Sequence, residues 1–416
     1  MLDQALVSGL NFLTGILVVR YLGLAEFGVF GLAWSVALFL NALQGAFIVT
    51  PMMTLGPRRE EGAAQEYFGT VLALQLLTAS ATFVLVLAGV KIMGLFSAEW
   101  RLDRLLLPLA TAALAFQLQD FVRRYFLTRG RAGLAFGNDL VSYGGQVLLL
   151  VGLARFVTLD SVQVLWIIAA SSVLAFAVAL PALVGVCRST SEMFAIAREH
   201  WRLSRWLFLS VQLEQLTVNL YLWTLGAVVG SVAVGAVLAA RNIVGVLHVL
   251  FNGLDNFVSP EAARLFARDG QAPLRKFLTR ATLLAGVPVL LYCTVVAVFP
   301  ETVYRLFYRQ SLGEFRLVLV LFALSYVIQF LAKPLSYYLL AILRPRPFAV
   351  AGAVKCLLAL VSCYPAVLWF AADGVLACVI VLNIIGGLLL LHYCRSYAET
   401  AHAAGCLPAS EACGRS

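Results

Sequence analysis

The residues with the clearest potential for chemistry lie in one apolar run of membrane-spanning length, Val237 to Asp255. Its polar members recur every three or four residues, at Arg241, Gly245, His248, Asn252 and Asp255. Because residues at that spacing share one face of an α-helix, they predict a single polar stripe. Arg241 lies roughly 15 Å inside its span, where a charge costs about 2.5 to 3.5 kcal/mol on insertion scales. We therefore expect its guanidinium to face a hydrated cavity or, alternatively, a counter-ion in a structural pair.

Three further apolar segments carry polar faces with the same spacing. They comprise Gln212, Gln215, Asn219, Trp223 and Gly226 in one segment, Gln4, Ser8, Asn11 and Gly15 in a second, and Trp34, Asn41 and Gly45 with the adjacent Gln44 in a third. Small and amide residues on such faces also hold helices together in bilayers. That structural role is favoured for the glycines, serines and glutamines taken singly.

Other ionisable side chains lie inside the apolar segments or close to their ends. They are Arg20, Asp120, Glu214, Lys333 and Lys355. Structural ion pairing is the expected role of the last four, for example between Asp120 and Lys333. A proton or sodium gradient acting on Glu214, Asp120 or His248 is the alternative, although none of them forms a recognisable ion site. For Arg20, at the end of the first segment, interfacial snorkelling is favoured.

The composition places the whole chain in a bilayer. Of its 416 residues, 62% are hydrophobic and only 12% are charged, whereas a soluble domain has about 25% charged residues. Apolar stretches long enough to span the bilayer recur from end to end without strictly alternating strands, which predicts helices. Twelve spans are expected, centred near Asn11, Leu40, Thr78, Ala113, Gln146, Val173, Tyr221, Val244, Pro288, Leu324, Leu360 and Ala377. The first is expected to be retained, because no basic region or cleavage site marks a signal peptide.

The distribution of basic residues predicts the orientation of the chain. Loops after the even-numbered spans and the tail hold 19 Lys and Arg residues, and loops after the odd-numbered spans hold 8. Because cytoplasmic loops are enriched in these residues, both termini are predicted to be cytoplasmic. The net charge of +9 follows from this bias, and no nucleic-acid partner is expected, since the arginines form no single patch. Eight cysteines without a CxxC pair favour small buried residues over a metal site or a disulfide framework.

The two halves of the sequence resemble each other. The segment from Leu22 to Pro51 aligns with that from Val229 to Pro260, and the matched pairs are Gly23 with Gly230, Gly28 with Gly235, Ala33 with Ala240 and Asn11 with Asn219. The offset of 207 to 209 residues is half the chain length, although a chance alignment of Gly- and Ala-rich helices is the alternative. With six spans each, both halves enter the membrane in the same direction. We expect an all-α polytopic membrane protein with two parallel six-helix lobes around a central cleft. Its expected units are an N-terminal lobe at 1–190, a connection at 191–205, a C-terminal lobe at 206–396 and a tail at 397–416.

The first and second copies of this repeat carry a resemblance to a known family. The opening run from Asp3 to Met53 holds the pattern Arg20, Leu22, Gly23, Phe27 and Gly28, followed by a small-residue span and Pro51. It resembles the first two spans of polysaccharide-exporting flippases of the MOP superfamily, of the Wzx O-antigen type. The second copy, from Val229 to Gly270, resembles the eighth span of that family and the loop after it. With the twelve-span plan, the likeness covers essentially the whole chain.

The resemblance implies transport and not catalysis. Such a flippase moves a polyprenyl-diphosphate-linked oligosaccharide across the bacterial inner membrane by alternating access of two lobes, without a cofactor. Arg241 and Arg20 would bind phosphate, since a guanidinium presents paired donors to phosphate oxygens. The residues implied for the sugar are Asn11, Asn41, Asn219 and Gln215 as hydrogen-bonding groups and Trp34 or Trp223 as a stacking surface. Membrane lipids, and a polysaccharide polymerase with its chain-length machinery, are the expected partners besides the lipid-linked oligosaccharide.

Two other functions fit parts of the pattern. A cation-coupled multidrug exporter of the MATE branch shares the twelve-span plan, but its site should be acidic and aromatic, whereas the deepest charge here is an arginine. A membrane glycan polymerase or ligase needs a sizeable periplasmic loop with catalytic residues. The outward loops here, Lys91 to Arg104 and Glu301 to Phe315, are short and lack histidine. Direct ATP hydrolysis is not expected, because the chain has no GxxxxGK[ST] phosphate loop.

Overall fold

Every regular element in the described part of the chain is helical; the computed structural model describes residues 2–96, 102–183, 192–309, 311–344 and 346–403. The α-helices are α1 (Leu2–Gln44), α2 (Thr50–Leu55), α3 (Glu61–Phe96), α4 (Leu106–Thr128), α5 (Ala132–Asp139), α6 (Gly145–Leu153), α7 (Ser161–Leu183), α8 (Met193–Val228), α9 (Ser231–Val244), α10 (Leu247–Asp269), α11 (Gln271–Val298), α12 (Pro300–Tyr308), α13 (Arg316–Ala341) and α14 (Arg346–Ala403). Two π-helical segments, Gly45–Val49 and Leu140–Gly144, follow α1 and α5. This architecture confirms the prediction of an all-α polytopic membrane protein.

The helices are long and apolar enough to cross a membrane many times. Eight described segments have the length and hydropathy of a span, and α9 with α10 is a ninth that is bent by 53°. Two of the eight, Val7–Arg58 and Arg346–Tyr397, are 52 residues long, whereas one crossing takes about 20 residues. Each of these two is interrupted by a residue with positive φ, Gly23 or Ala371, and so contains two crossings. Together with the second half of α8, these segments account for the expected plan of about twelve spans.

The two predicted halves turn between their first two spans in the same way. Gly23 has φ 73° and ψ 172°, and Gly230 has φ 111° and ψ 178°. A residue with a Cβ would be strained at either position, because its side chain clashes with the backbone in this region. The sequence match between these two glycines therefore reflects one backbone turn that occurs twice.

The second span of each half packs against its counterpart close to these turns. A Cβ added to Gly28 would lie 1.8 Å from the carbonyl oxygen of Ser231, and one added to Gly235 would lie 2.1 Å from that of Leu24. Any side chain at either position is thus incompatible with the observed approach of α1 and α9. This matched pair of glycines is what allows the two lobes to meet in backbone contact.

The apolar core is shared by both lobes at the end where the two glycines meet and is divided at the other end. One cluster joins residues of both predicted lobes, among them Val19 and Tyr304. Each of two smaller clusters belongs to a single lobe. One, which includes Tyr67, lies in the N-terminal lobe, and the other, which includes Leu274, lies in the C-terminal lobe. The lobes therefore join at one end and separate toward the other, which leaves a cleft between them.

The connection between the lobes is not a separate segment. From residue 193 onward, the expected connection at 191–205 consists of the first turns of α8, which continues without a break into the first span of the C-terminal lobe. His200, in these turns, is fully buried against the N-terminal lobe. Its Nδ1 donates to the carbonyl oxygen of Phe47 at 3.2 Å, and its Nε2 accepts from the hydroxyl of Tyr67 at 2.8 Å. The first turns of α8 therefore pack against the N-terminal lobe, and its second half is a span of the C-terminal lobe. The expected tail also begins inside a helix, α14, and its residues after 403 lie outside the described ranges.

Candidate functional site

A cleft of about 740 Å³ lies between the two predicted lobes. Helices α1, α8, α9 and α10 supply most of its wall, and α4, α6, α7 and α13 contribute single residues. Six of the residues predicted to bind substrate or to couple an ion line it: Asn11, Trp34, Gln215, Asn219, Arg241 and His248. They come from both halves of the chain, so the site exists only where the two lobes face each other.

Arg241 lies next to a break in the helix that carries it. Helix α9 ends just before Gly245 and α10 begins two residues later, at an angle of 53°. Gly245 permits this break, because a Cβ there would lie 2.7 Å from the carbonyl oxygen of Arg241. The prediction of one continuous stripe is therefore wrong: Arg241, Gly245 and His248 line the cleft next to the bend, whereas Asn252 and Asp255, farther along α10, do not. Broken helices of this kind commonly line transporter sites.

The guanidinium of Arg241 is exposed to the cleft and forms no ion pair or hydrogen bond with the described residues. No carboxylate belongs to the described lining, where the only basic side chains are Arg241 and His248. A charge at membrane depth without a counter-ion is stable only where water or a ligand reaches it. The cleft is therefore electropositive and suited to an anionic group.

Aromatic rings and amides form much of the remaining wall. The indole of Trp34 stacks with Phe30 at 6.3 Å between ring centroids and meets Phe116 edge-on at 5.5 Å. Asn219 donates through its side chain to the carbonyl oxygen of Gln215 at 2.8 Å. An apolar wall with a few placed polar groups is typical of sites that orient a ligand.

His248 has aromatic neighbours. Its Nε2 lies 2.8 Å from the hydroxyl oxygen of Tyr326, and its ring meets Phe251 edge-on at 6.2 Å between centroids. The ammonium of Lys333 lies 5.3 Å from the centre of the Phe251 ring. The described contacts of the imidazole thus include no carboxylate, and a role of His248 in ion coupling stays a prediction.

Lys333 pairs with Asp255. Its ammonium lies 2.7 Å from both carboxylate oxygens of Asp255, which also accepts a hydrogen bond from Tyr337 at 2.6 Å. Asp120 instead lies 3.4 Å from Arg124, one turn along the same helix. The expected pair of Asp120 with Lys333 is therefore wrong, because the cores of the two lobes are divided at this end of the molecule and keep these residues apart.

Glu214 and Lys355 form a second ion pair within the C-terminal lobe. The ammonium of Lys355 lies 2.7 Å from a carboxylate oxygen of Glu214, joining α14 to α8. Neither residue lines the cleft. This geometry fits the structural pairing that the sequence favours for them.

Two of the predicted sugar-binding residues lie outside the cleft lining. Trp223 donates from its indole nitrogen to the hydroxyl of Ser35 at 2.8 Å, and Ser35 itself lines the cleft. Asn41 has a buried amide oxygen without a hydrogen-bond partner among the described residues. Trp223 thus supports the wall, and contact of Asn41 with a sugar stays a prediction.

Arg20 connects the two lobes at their joined end. Its Nε donates to the carbonyl oxygen of Phe307 at 2.5 Å, and its Nη2 donates to that of Leu306 at 3.0 Å. These carbonyls belong to the last turn of α12, where a cation satisfies free acceptors and the negative end of the helix dipole. Arg20 does not line the cleft in this conformation.

A buried polar network inside the N-terminal lobe was not predicted from the sequence. Arg123 lies 2.5 Å from a carboxylate oxygen of Asp139, and Gln119 donates to Asn138 at 2.9 Å and to Asp139 at 3.2 Å. The network adjoins the π-helical segment Leu140–Gly144, an irregularity that often accompanies functional sites. Its signal in the sequence is the Asn-Asp pair inside an otherwise apolar segment.

The fold is similar to that of several solved transporters of the MOP superfamily. An inward-facing multidrug resistance MATE family transporter of that superfamily is 15% identical, with a TM-score of 0.77 over 97% of this chain and 96% of that chain. The lipid II flippase MurJ, in an inward closed conformation, is 16% identical, with a TM-score of 0.75 over 95% of this chain and 87% of that chain. A MOP-superfamily transporter from Pyrococcus furiosus, described by the reverse polarity of its binding pocket, is 16% identical, with a TM-score of 0.68 over 96% and 94%.

These likenesses are structural. No protein-family model matches the sequence, and no curated protein matches it. The expected fold class, two helical lobes around a cleft as in MATE and MOP transporters, is therefore confirmed. The finer assignment to the Wzx type stays a prediction.

Proposed function

We propose that this chain is a transporter that moves a polyprenyl-diphosphate-linked oligosaccharide from the cytoplasmic to the periplasmic leaflet of the bacterial inner membrane. The observation that supports this most directly is the unpaired guanidinium of Arg241 in a cleft whose described lining has no carboxylate. A diphosphate matches that site in charge and in hydrogen-bonding geometry, since a guanidinium donates in pairs to phosphate oxygens.

The cleft addresses the physical obstacle to such a transfer. A diphosphate and its sugars cannot enter hydrocarbon, because their charges and hydroxyls would lose their hydrogen bonds to water. Within the cleft, Arg241 binds the diphosphate, while Asn11, Asn219 and Gln215 bind sugar hydroxyls and Trp34 offers a stacking surface. The volume of about 740 Å³ lies within the range of about 300 to 1,000 Å³ for small-molecule sites. The expected occupant is thus the diphosphate with its first sugars, while the polyprenyl tail stays in the bilayer.

Transfer requires that the cleft open alternately to the two sides of the membrane. Here the lobes are joined at the end that holds Gly28, Gly235 and Arg20, which the distribution of basic residues assigns to the periplasm. The similar MATE and MurJ structures are inward-facing and inward closed, respectively. We therefore infer that the observed conformation is the one that receives substrate from the cytoplasmic leaflet and that separation of the joined end releases it.

Export of organic cations is the competing function. The positive charge of Arg241 opposes it, because two like charges about 4 Å apart repel by about 4 kcal/mol at an effective dielectric constant of about 20. No described carboxylate in the cleft offsets this repulsion.

The two functions are separated by assaying both cargoes on one preparation. In proteoliposomes, the wild-type protein should make a fluorescent polyprenyl-diphosphate disaccharide accessible to an impermeant quencher, and Arg241→Gln should slow this by at least about tenfold, the value of one lost charge-assisted interaction. Arg280→Gln, an exposed arginine outside the cleft, is the matched control and should transfer normally. Unchanged transfer by Arg241→Gln, or movement of a cationic dye without movement of the lipid, would contradict the proposal.

A further inference from the structure

A second cavity, of about 500 Å³, lies within the C-terminal lobe and shares no lining residue with the central cleft. Helices α11, α13 and α14 form its walls. Its basic residues and a tyrosine gather where these helices begin or end: Arg275 in the first turns of α11, Tyr338 in the last turn of α13 and Arg395 near the end of α14. The rest of the wall is mainly apolar and includes Leu278, Leu283, Leu335 and Leu391.

The polar end of this cavity has unused binding capacity. Arg275 and Arg395 are exposed, neither forms an ion pair with the described residues, and the described lining of the cavity contains no carboxylate. Tyr338 is only 5% exposed, and its hydroxyl interacts with the guanidinium of Arg275. Two guanidinium groups at one end of an apolar cavity, without a described carboxylate to neutralise them, point to an anionic ligand with several acceptor oxygens.

We propose that this cavity binds one anionic glycerophospholipid, with its phosphate between Arg275 and Arg395 and an acyl chain against the leucines. The arginines lie at the end that the charge distribution assigns to the cytoplasm, where anionic headgroups meet basic pockets between helices. From Arg275 to Leu283 along α11 is roughly 12 Å at 1.5 Å per residue, enough to lead from the headgroup level into hydrocarbon. The neighbouring Tyr338 hydroxyl donates to the phosphate. This site does not depend on which cargo occupies the central cleft.

Lipid binding can be measured without any transport assay. Full-length protein is delipidated in detergent and titrated with phosphatidylglycerol, and bound lipid is counted by native mass spectrometry. We expect Arg275→Gln combined with Arg395→Gln to weaken binding at least about tenfold, because each lost guanidinium removes a charge-assisted contact with the phosphate. Arg202→Gln combined with Arg280→Gln removes the same charge from exposed positions outside the cavity and should change binding less than twofold.

One further variant and two further ligands test the site and identify what it binds. Tyr338→Phe keeps the shape of the wall and should weaken binding about threefold, so it tests the site even if the double variant fails to fold. Zwitterionic phosphatidylcholine should bind at least tenfold more weakly than phosphatidylglycerol, and millimolar inorganic phosphate should not displace the lipid. Equal binding by the cavity variants and the control pair would overturn the proposal. So would equal binding of the two lipids, and displacement by inorganic phosphate would reassign the site to a free anion.

Discussion

The guanidinium of Arg20, at the end of the first span, donates a 2.5 Å hydrogen bond to the carbonyl oxygen of Phe307, in the opposite lobe. Together with a second bond to Leu306, it completes the last turn of α12 and ties the lobes together at their joined end. This contact satisfies the Nε and Nη2 donors of Arg20 in the observed conformation, and a contact of Arg20 with phosphate stays a prediction.

Removal of this contact should shift the protein toward the conformation that is open at the joined end. Arg20→Ala deletes hydrogen bonds that involve a charged donor, each contributing about 1.5 to 3 kcal/mol. Distances between spin labels on the two lobes should therefore show a larger population with the joined end separated. Arg305→Ala, on α12 but without this contact, should leave the distribution unchanged, and an unchanged distribution for Arg20→Ala would show that the bond does not hold the lobes.

Side chains at the matched glycines should prevent the observed conformation. Gly28→Leu or Gly235→Leu places atoms within about 2 Å of a backbone oxygen in the opposite helix, and packed backbones cannot relax by that amount locally. Such variants should reach the membrane but transfer substrate at least tenfold more slowly, with labels at the joined end held apart. Gly152→Leu, where no atom lies within 4 Å of an added Cβ, is the control. Normal transfer by both glycine variants would contradict the role of this contact in closure.

Neutralising Asp255 should destabilise the C-terminal lobe by leaving Lys333 without its counter-ion. The lysine side chain is 23% exposed and is held by both carboxylate oxygens, so Asp255→Asn should lower the apparent Tm in detergent. The expected loss is about 1 to 3 kcal/mol. Replacing both partners, Asp255→Asn with Lys333→Met, should recover part of the loss, because no uncompensated charge remains. A double variant less stable than the single one would argue against this explanation.

His200 should make the stability of the protein depend on pH. Burial lowers the pKa of its imidazole to about 4, partly opposed by its bond to Phe47, whereas an unfolded histidine has a pKa of about 6.5. Between these values the unfolded state binds a proton that the folded state does not, so stability is full above about pH 6.5 and falls as the pH is lowered toward 4, by up to about 1.4 kcal/mol per pH unit. The apparent Tm should therefore drop less between pH 7.5 and pH 5 in His200→Gln than in the wild type. His392→Gln, at an exposed position, should retain the full drop.

The features that depend on local pattern could be predicted from the sequence. The match of Gly23 with Gly230 and of Gly28 with Gly235 is visible in the sequence, whereas the turn and the helix contact that these glycines form are visible only in the structure. The depth of Arg241 in its span limits the guanidinium to two environments, a hydrated cleft or an ion pair, and the structure shows it in the cleft. The prediction for Arg241 follows from the free-energy cost of an unsolvated charge in the bilayer, which depends only on the position of the residue in its span.

Features that depend on the arrangement of the lobes could not be predicted. The bend after Arg241 separates residues that an ideal helix would align, so Asp255 leaves the polar stripe and meets Lys333 instead. The partner of Arg20 is a pair of backbone carbonyls, which have no signature in the sequence. The network around Asp139 requires three helices to converge, and spacing along one helix does not reveal that.

The unbroken course of α8 restricts how the molecule can move. A flexible linker would let the two lobes move independently. Because α8 is continuous, is bound to the N-terminal lobe at His200 and forms the first span of the C-terminal lobe, movement of one lobe is coupled to the other. Any movement of one lobe relative to the other must therefore either bend α8 near its middle or separate its first turns from Tyr67 and Phe47. A relative movement of the lobes is thus coupled to the contacts of His200, which lies outside the described cleft lining.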